Sequence, residues 1–244
     1  MITLQNSSAL MACFALAGCG SSSPALEIAN SANIAFIEDD GVLSVTGSDI
    51  DVSLPLDPIY DRGTFVGAKQ FGEDFTTGQI LAVSETSDSF AVQLIDRQED
   101  GPITSQQFYG RTTAFDDLPT GRATLTGSYV GTFNESDPGL YAYIDGDVTL
   151  DVSFDEMTIS GTVENMMLDI FGFGPEIPFQ YSLYIDLLET PIAQNGSFSG
   201  VSEYVEIETG ERFDNGSYRG LLTGGDSIEA VGSIAGQGVF AAGH

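Results

Sequence analysis

The chain is short of cations. Against 36 Asp and Glu it carries 7 Lys and Arg, which leaves a net charge of −29 over 244 residues, and it has one His, two Cys and no Trp. Each scarcity excludes a class of work. A nucleic-acid backbone is held by replacing its counterions with Lys and Arg, and seven scattered cations build no such patch, so no nucleic acid is expected as a partner. The same field repels anionic head groups, so any membrane attachment must be covalent or inserted. One His leaves no imidazole pair to hold a metal or relay a proton, and a Ser nucleophile would have to borrow the terminal His244 as its base. Among 36 carboxylates a pair at glycosidase-like separation arises by chance and singles out no hydrolase. No enzyme, no catalytic residue, no metal and no cofactor are expected.

What is present is apolar substance and glycine. At 42% hydrophobic and 10% aromatic the chain can bury a core, and its 29 Gly punctuate short alternating runs. Residues Met1 to Gly18 contain no charged side chain, and Ala9 to Ala17 form an apolar run too short to span a bilayer but suited to a cleaved export signal. The n-region Met1 to Ser8 lacks the positive charge that such signals carry. Leu16-Ala17-Gly18-Cys19 looks like a bacterial lipobox, in which Cys19 receives the lipid and becomes the first mature residue. Residues 1–18 are expected to be a lipoprotein signal peptide and 19–33 a flexible tether, led by Gly20-Ser21-Ser22-Ser23-Pro24. Without an acidic residue at position 20, the outer membrane is the expected site of the anchor, on its surface or its periplasmic face. Removal of Cys13 with the signal leaves Cys19 alone, so no disulfide is expected.

Beyond residue 30 the period is two. In Asp147 to Phe154, Val148, Leu150, Val152 and Phe154 point one way while Asp147, Thr149, Asp151 and Ser153 point the other. Gly127-Ser128-Tyr129-Val130-Gly131, Gly196-Ser197-Phe198-Ser199-Gly200 and Gly216-Ser217-Tyr218-Arg219-Gly220 repeat a Gly-Ser-aromatic-x-Gly unit that sets one ring between two gaps on a single strand face. Such gaps let a strand coil sharply and let a neighbour's ring cover bare backbone, as closure of a small barrel requires. The expected fold is all-β: an eight-stranded antiparallel β-barrel over 118–244, preceded by a smaller β-rich handle-like subdomain over 34–117. Seven strands are expected in the smaller part, the last at Gln107 to Phe115, and the third barrel strand is expected at Thr158 to Glu164.

Leu118-Pro119-Thr120-Gly121, Ala123-Thr124, Thr126-Gly127, Tyr129 and Gly131 open the second half. Val148 to Phe154 with Ile159-Ser160-Gly161, the later Gly-Ser-aromatic units and Gly238-Val239-Phe240-Ala241-Ala242 follow in order. As a series these resemble the transferrin-binding protein B lipoprotein family, over about half the chain. The resemblance implies a barrel beside a handle-like region, lipid-anchored at the outer membrane. It implies a binding protein linked to iron acquisition and partnered by an outer-membrane receptor, an extracellular protein or a small ligand. This chain has room for one lobe and almost no Lys, which points to a shortened, solute- or partner-binding form rather than to transferrin as ligand. The alternative is an acidic surface-coat lipoprotein without a specific ligand. A barrel embedded by its own strands would show the same alternation, but it would gain little from an acyl anchor.

The segment Met166 to Phe179 is too apolar for an ordinary solvated loop between barrel strands. Met167, Leu168, Ile170, Phe171 and Phe173 are its candidate ligand- or partner-binding residues. The other reading of the same segment is a plug folded over one barrel end. Asp145, Asp147 and Asp151 share a strand face, but an extended strand separates alternate residues by about 7 Å and cannot converge their oxygens on one calcium ion, so a solvated face is expected.

Overall fold

The computed structural model describes residues 35–39, 41–46, 51–56, 65–71, 78–98, 101–110, 118–134, 141–171, 179–224 and 227–244. The expectations for Cys19 and Phe173 lie outside these residues. Strands β1 (Ala35–Asp39), β2 (Val42–Thr46) and β3 (Asp51–Pro55) form a three-stranded antiparallel sheet. Strands β4 (Phe65–Phe71), β5 (Gly78–Glu85), β6 (Phe90–Gln98) and β7 (Gly101–Tyr109) form a four-stranded antiparallel meander. The last of these lies six residues earlier than its expected start at Gln107. Pairing of β6 and β7 runs up to Gln98↔Gly101, which brings the chain straight back with two residues between them.

The rest of the chain closes on itself. Strands β8 (Arg122–Asn134), β9 (Tyr141–Ser153), β10 (Thr158–Phe171), β12 (Leu183–Pro191), β13 (Ser197–Glu206), β14 (Arg212–Thr223), β15 (Glu229–Ile234) and β16 (Gly238–Gly243) make an eight-stranded antiparallel barrel. β16 returns to β8, and a two-residue strand β11 (Phe179–Gln180) adds to the edge of β10. The interior holds side chains: Leu125, Val148, Leu150, Ile159, Val163, Ile185, Leu187 and Leu222 pack with the rings of Tyr129, Phe198, Tyr218 and Phe240. It is a filled core and not a channel.

Closure rests on rings laid over glycines. Register places Phe198 opposite Gly220, Tyr218 opposite Gly200 and Phe240 opposite Gly232. A methyl added to Gly220 would lie 2.4 Å from the Phe198 ring, and one on Gly200 2.5 Å from Tyr218. One on Gly232 would lie 2.5 Å from Phe240, and one on Gly238 2.5 Å from Tyr129. Each ring therefore occupies the volume a side chain would need, and the strands coil tightly because nothing but hydrogen stands on the backbone there. Tyr218 also ties the far wall. Register slips between Ile159 and Gly161, so that Leu188 and Glu189 of β12 face the single residue Ser160, and the Tyr218 hydroxyl donates to the Leu188 carbonyl oxygen at 2.6 Å.

The four-stranded sheet lies between two apolar surfaces because its strands alternate. Leu81, Val83, Val92 and Tyr109 face Leu43, Val45, Val52 and Leu54 of the three-stranded sheet. Ile80, Ala82, Ala91, Ile95 and Phe108 face the outer wall of the barrel at Val130, Tyr143, Val231, Val239 and Ala241. That wall therefore has apolar residues on both faces of β15 and β16, every residue of which is buried except Gly243. Hydrogen bonds stitch the same interface. The Ser84 hydroxyl donates to the Ser128 carbonyl at 2.7 Å and accepts from the Ala241 N–H at 3.0 Å, and Tyr143 donates to the Ala68 carbonyl at 3.0 Å. At one end the β5–β6 turn encloses Glu229, 1% exposed, whose carboxyl group accepts from Thr86 Oγ1 at 2.7 Å, Ser87 Oγ at 2.6 Å and the Asp88 N–H at 3.2 Å.

A methyl on Gly220 would also meet the Val231 carbonyl oxygen at 2.4 Å, which no rotamer change relieves. Gly220→Ala should lose about 1–3 kcal/mol in urea unfolding. Gly210→Ala, at a φ of +72° with nothing within 4 Å, should lose about 1 kcal/mol from backbone conformation alone. Equal losses at the two positions would show that the ring-over-glycine contact contributes nothing. Glu229→Ala strands three donors at a covered interface and should lose about 2–4 kcal/mol, with the β5–β6 turn becoming the first site of proteolytic cleavage.

Candidate functional site at the barrel mouth

The β12–β14 end of the barrel carries an aromatic lip. Tyr204 on β13 and Phe213 on β14 are a directly opposed cross-strand pair on the inner face. Tyr204 packs on the core, while Phe213 stays 45% exposed. The hairpin past them, closed by Glu206 N–H to the Glu211 carbonyl at 2.9 Å, presents Ile207 at 56% exposure among carboxylates. Tyr181, which follows β11, hydrogen-bonds through its N–H to the Met166 carbonyl at 2.8 Å and packs against the core beside Leu183.

Burial sets the chemistry of these phenols. Tyr204 donates to Gln237 Oε1 at 2.8 Å, and burial, reinforced by the neighbouring Tyr181, pushes its hydroxyl up to about 12. Tyr129, one layer deeper and fully buried, is raised further by burial and by Tyr204. Tyr204 and Tyr129 remain neutral hydrogen-bonding rings under any ordinary condition. Outside the lip the charge is handled differently. Asp186 and Glu203 are directly opposed across β12 and β13, a repulsive arrangement, and Arg212 Nη1 spans them at 2.7 and 2.6 Å.

The sequence-derived candidates divide. Leu168 belongs to the barrel core and Met167 is half-buried, because β10 runs on to Phe171 instead of ending near Glu164, pairing with β9 from Met167↔Asp145 to Phe171↔Tyr141. Ile170 and Phe171 are strand residues of that extension, opposite Ala142 and Tyr141. The four described candidates thus sit at the same barrel end as the lip, as wall rather than loop. Tyr181, Tyr204, Ile207 and Phe213 were not read as site residues. Ile207, apolar in the otherwise polar hairpin Glu206 to Glu211, was the available signal. On the outer wall, Asp147 accepts from Asn165 at 2.7 Å and Asp151 from Thr124 at 2.8 Å, so these carboxylates engage different neighbours along the strand.

Clefts among the described residues also lie away from the lip. One of about 680 Å³, between β7 and the outer face of β13–β15, is lined by Gln106, Ser197, Ser199, Ser217, Arg219 and Ser233 among others, and among the described residues its lining has no His, Asp or Glu to act as a base for its hydroxyls. A second of about 380 Å³ includes Arg122 and Glu156, which pair at 3.2 Å in full view of solvent.

No protein-family model matches the chain, and no curated protein matches it. Among solved structures, one described as the AfRom2 CNH domain aligns over 87% of this chain and 79% of its own at 11% identity, with a TM-score of 0.16, too low for any inference about fold or function.

The raised Tyr204 hydroxyl fixes the sign of an alkaline effect. The folded chain keeps a phenolic proton that the unfolded chain gives up near the ordinary value of 10, so this contribution to stability is complete below pH 10 and is lost as pH rises from 10 to 12. Across that interval wild type should lose more unfolding free energy than Tyr204→Phe, measured by urea unfolding at each pH. Equal losses would mean that Tyr204 titrates as an exposed phenol.

Proposed function

We propose that this chain is a binding protein, lipid-anchored through Cys19 at the outer membrane and similar in kind to the transferrin-binding protein B lipoproteins, and that it holds a partner or small ligand at the aromatic end of its barrel. The reading extends to a link with iron acquisition through an outer-membrane receptor. The observation that carries it is the lip itself. On a chain of net charge −29, Phe213 stands exposed opposite half-buried Tyr204, and the hairpin that joins their strands exposes Ile207 as well, so two large apolar side chains meet solvent at one barrel end where a partner would cover them. The packed interior supports a ligand at the mouth and not one swallowed in a lumen.

A second reading, an acidic surface coat without a ligand, draws on the outer wall, where Asp147 and Glu164 face each other exposed across β9 and β10. The two readings part on the lip. Wild-type chain recovered from envelope extracts of iron-starved cells should bring a partner with it. The double variant Ile207→Ser, Phe213→Ser should bring at least about tenfold less while melting at the same temperature, as loss of one or two buried apolar contacts implies. Equal recovery, or none from either protein, sinks the binding reading. In the same cells a palmitate analogue should label wild type and not Cys19→Ser.

A further inference from the structure

Directly beneath the lip the barrel contains polar atoms that have nothing to bind. Ser202 is on the inner face of β13, in step with Phe198, Gly200 and Tyr204, and is 0% exposed. Opposite it the β14 register slips: Ser202 pairs with Gly216 and Glu203 with Asp214, which makes Asn215 the extra residue of a bulge. In such a bulge two consecutive residues, Asn215 and Gly216, oppose the single residue Ser202. Burial agrees, since Asn215 is 7% exposed between exposed neighbours. Ser202 Oγ, Asn215 Oδ1 and Asn215 Nδ2 all lack a hydrogen-bond partner, and the remaining buried side-chain atom in that condition among the described residues is Gln93 Oε1, in the four-stranded sheet. Three orphaned atoms at one bulge cost the fold a substantial desolvation penalty unless something completes them. Gly216, which opposes Ser202, is itself exposed, and a methyl on it would meet Ala235 alone, at 3.7 Å.

We propose that Ser202 and Asn215 are the polar floor of a ligand site whose walls are Tyr204, Tyr181 and Phe213, and that this site takes a neutral carboxamide carried on an aromatic body. The inference rests on reading the mouth as a binding surface and adds the chemistry of what enters it. Asn215 presents a donor and an acceptor side by side and Ser202 can be either, which is the complement of an amide group. Neither floor residue carries a charge, so an ionised ligand group would be buried without a counter-charge. The walls are rings, which favour an aromatic neighbour.

Because the chain has no Trp, an indole probe can be read without background. N-acetyl-tryptophanamide titrated with the full chain should show a saturable blue shift of its emission. Asn215→Leu, which keeps the volume and removes both polar atoms, and Ser202→Ala should each weaken its binding about tenfold, the worth of one or two hydrogen bonds. 3-Methylindole, which lacks the amide, should bind wild type and Asn215→Leu alike. Absence of a saturable shift with wild type overturns the proposal. So does binding of N-acetyl-tryptophanamide that survives Asn215→Leu and Ser202→Ala, which would leave the three atoms to a buried water. Partner recovery with these two variants separates the claims: if it persists while the probe discriminates nothing, the binding reading of the lip stands and the amide site falls.

Discussion

The structure depends on aromatic rings lying on bare backbone. A sheet of eight strands closes at this size only if it coils hard, and side chains pointing inward on every strand would collide at the coil. Gly200, Gly220, Gly232 and Gly238 remove the obstruction, and Tyr218, Phe198, Phe240 and Tyr129 from neighbouring strands fill what the glycines vacate. The contact therefore gives curvature and core density together. It also explains the filled interior: rings this large, inserted from β8, β13, β14 and β16, leave the Leu, Ile and Val side chains of β9, β10 and β12 to complete the packing. The ring-over-glycine ladder stops near the end of the barrel, and there β14 bulges.

A filled barrel with one apolar outer stripe needs a cover, and the four-stranded sheet supplies it. Val231, Val239 and Ala241 would otherwise face water, and on a chain with so many carboxylates the stripe would be its weakest point. The cover is anchored at Glu229, where a buried carboxyl group meets two hydroxyls and an N–H from the β5–β6 turn. Apolar area supplies the attraction, and the hydrogen bonds at Ser84, Tyr143 and Glu229 select one register of sheet on barrel, since a slip by one residue would leave each of them buried and unpaired.

Much of this was legible. Period-two alternation placed most barrel strands within a few residues, because the inner face must be apolar and the outer face must not be. The Gly-Ser-aromatic-x-Gly unit announced ring-covered glycines because both glycines and the ring share a face. What could not be read was the end of β10. Met166 to Phe171 breaks alternation, which resembles an apolar loop, but there the strand register shifts between Glu164 and Met167 and the wall continues. The seventh strand was placed too late: Gln107 to Phe115 holds the aromatic residues Phe108, Tyr109 and Phe115, but pairing with β6 starts at Gly101. The lip was missed since Tyr204 and Phe213 look like ordinary inward residues, and only the fold places them at the end of the barrel with Phe213 exposed.

By itself the sequence determined the class of fold, the closure chemistry of the barrel and the sign of its surface, because periodicity, glycine spacing and charge are local or additive quantities. Only the tertiary structure decided which inward residues end up at a mouth, which outer stripe is covered, and that Ser202 and Asn215 come together with their polar atoms unfilled. Those facts depend on where two strands meet and by how much their register slips, and a one-residue bulge leaves no mark in the sequence that distinguishes it from continuous strand.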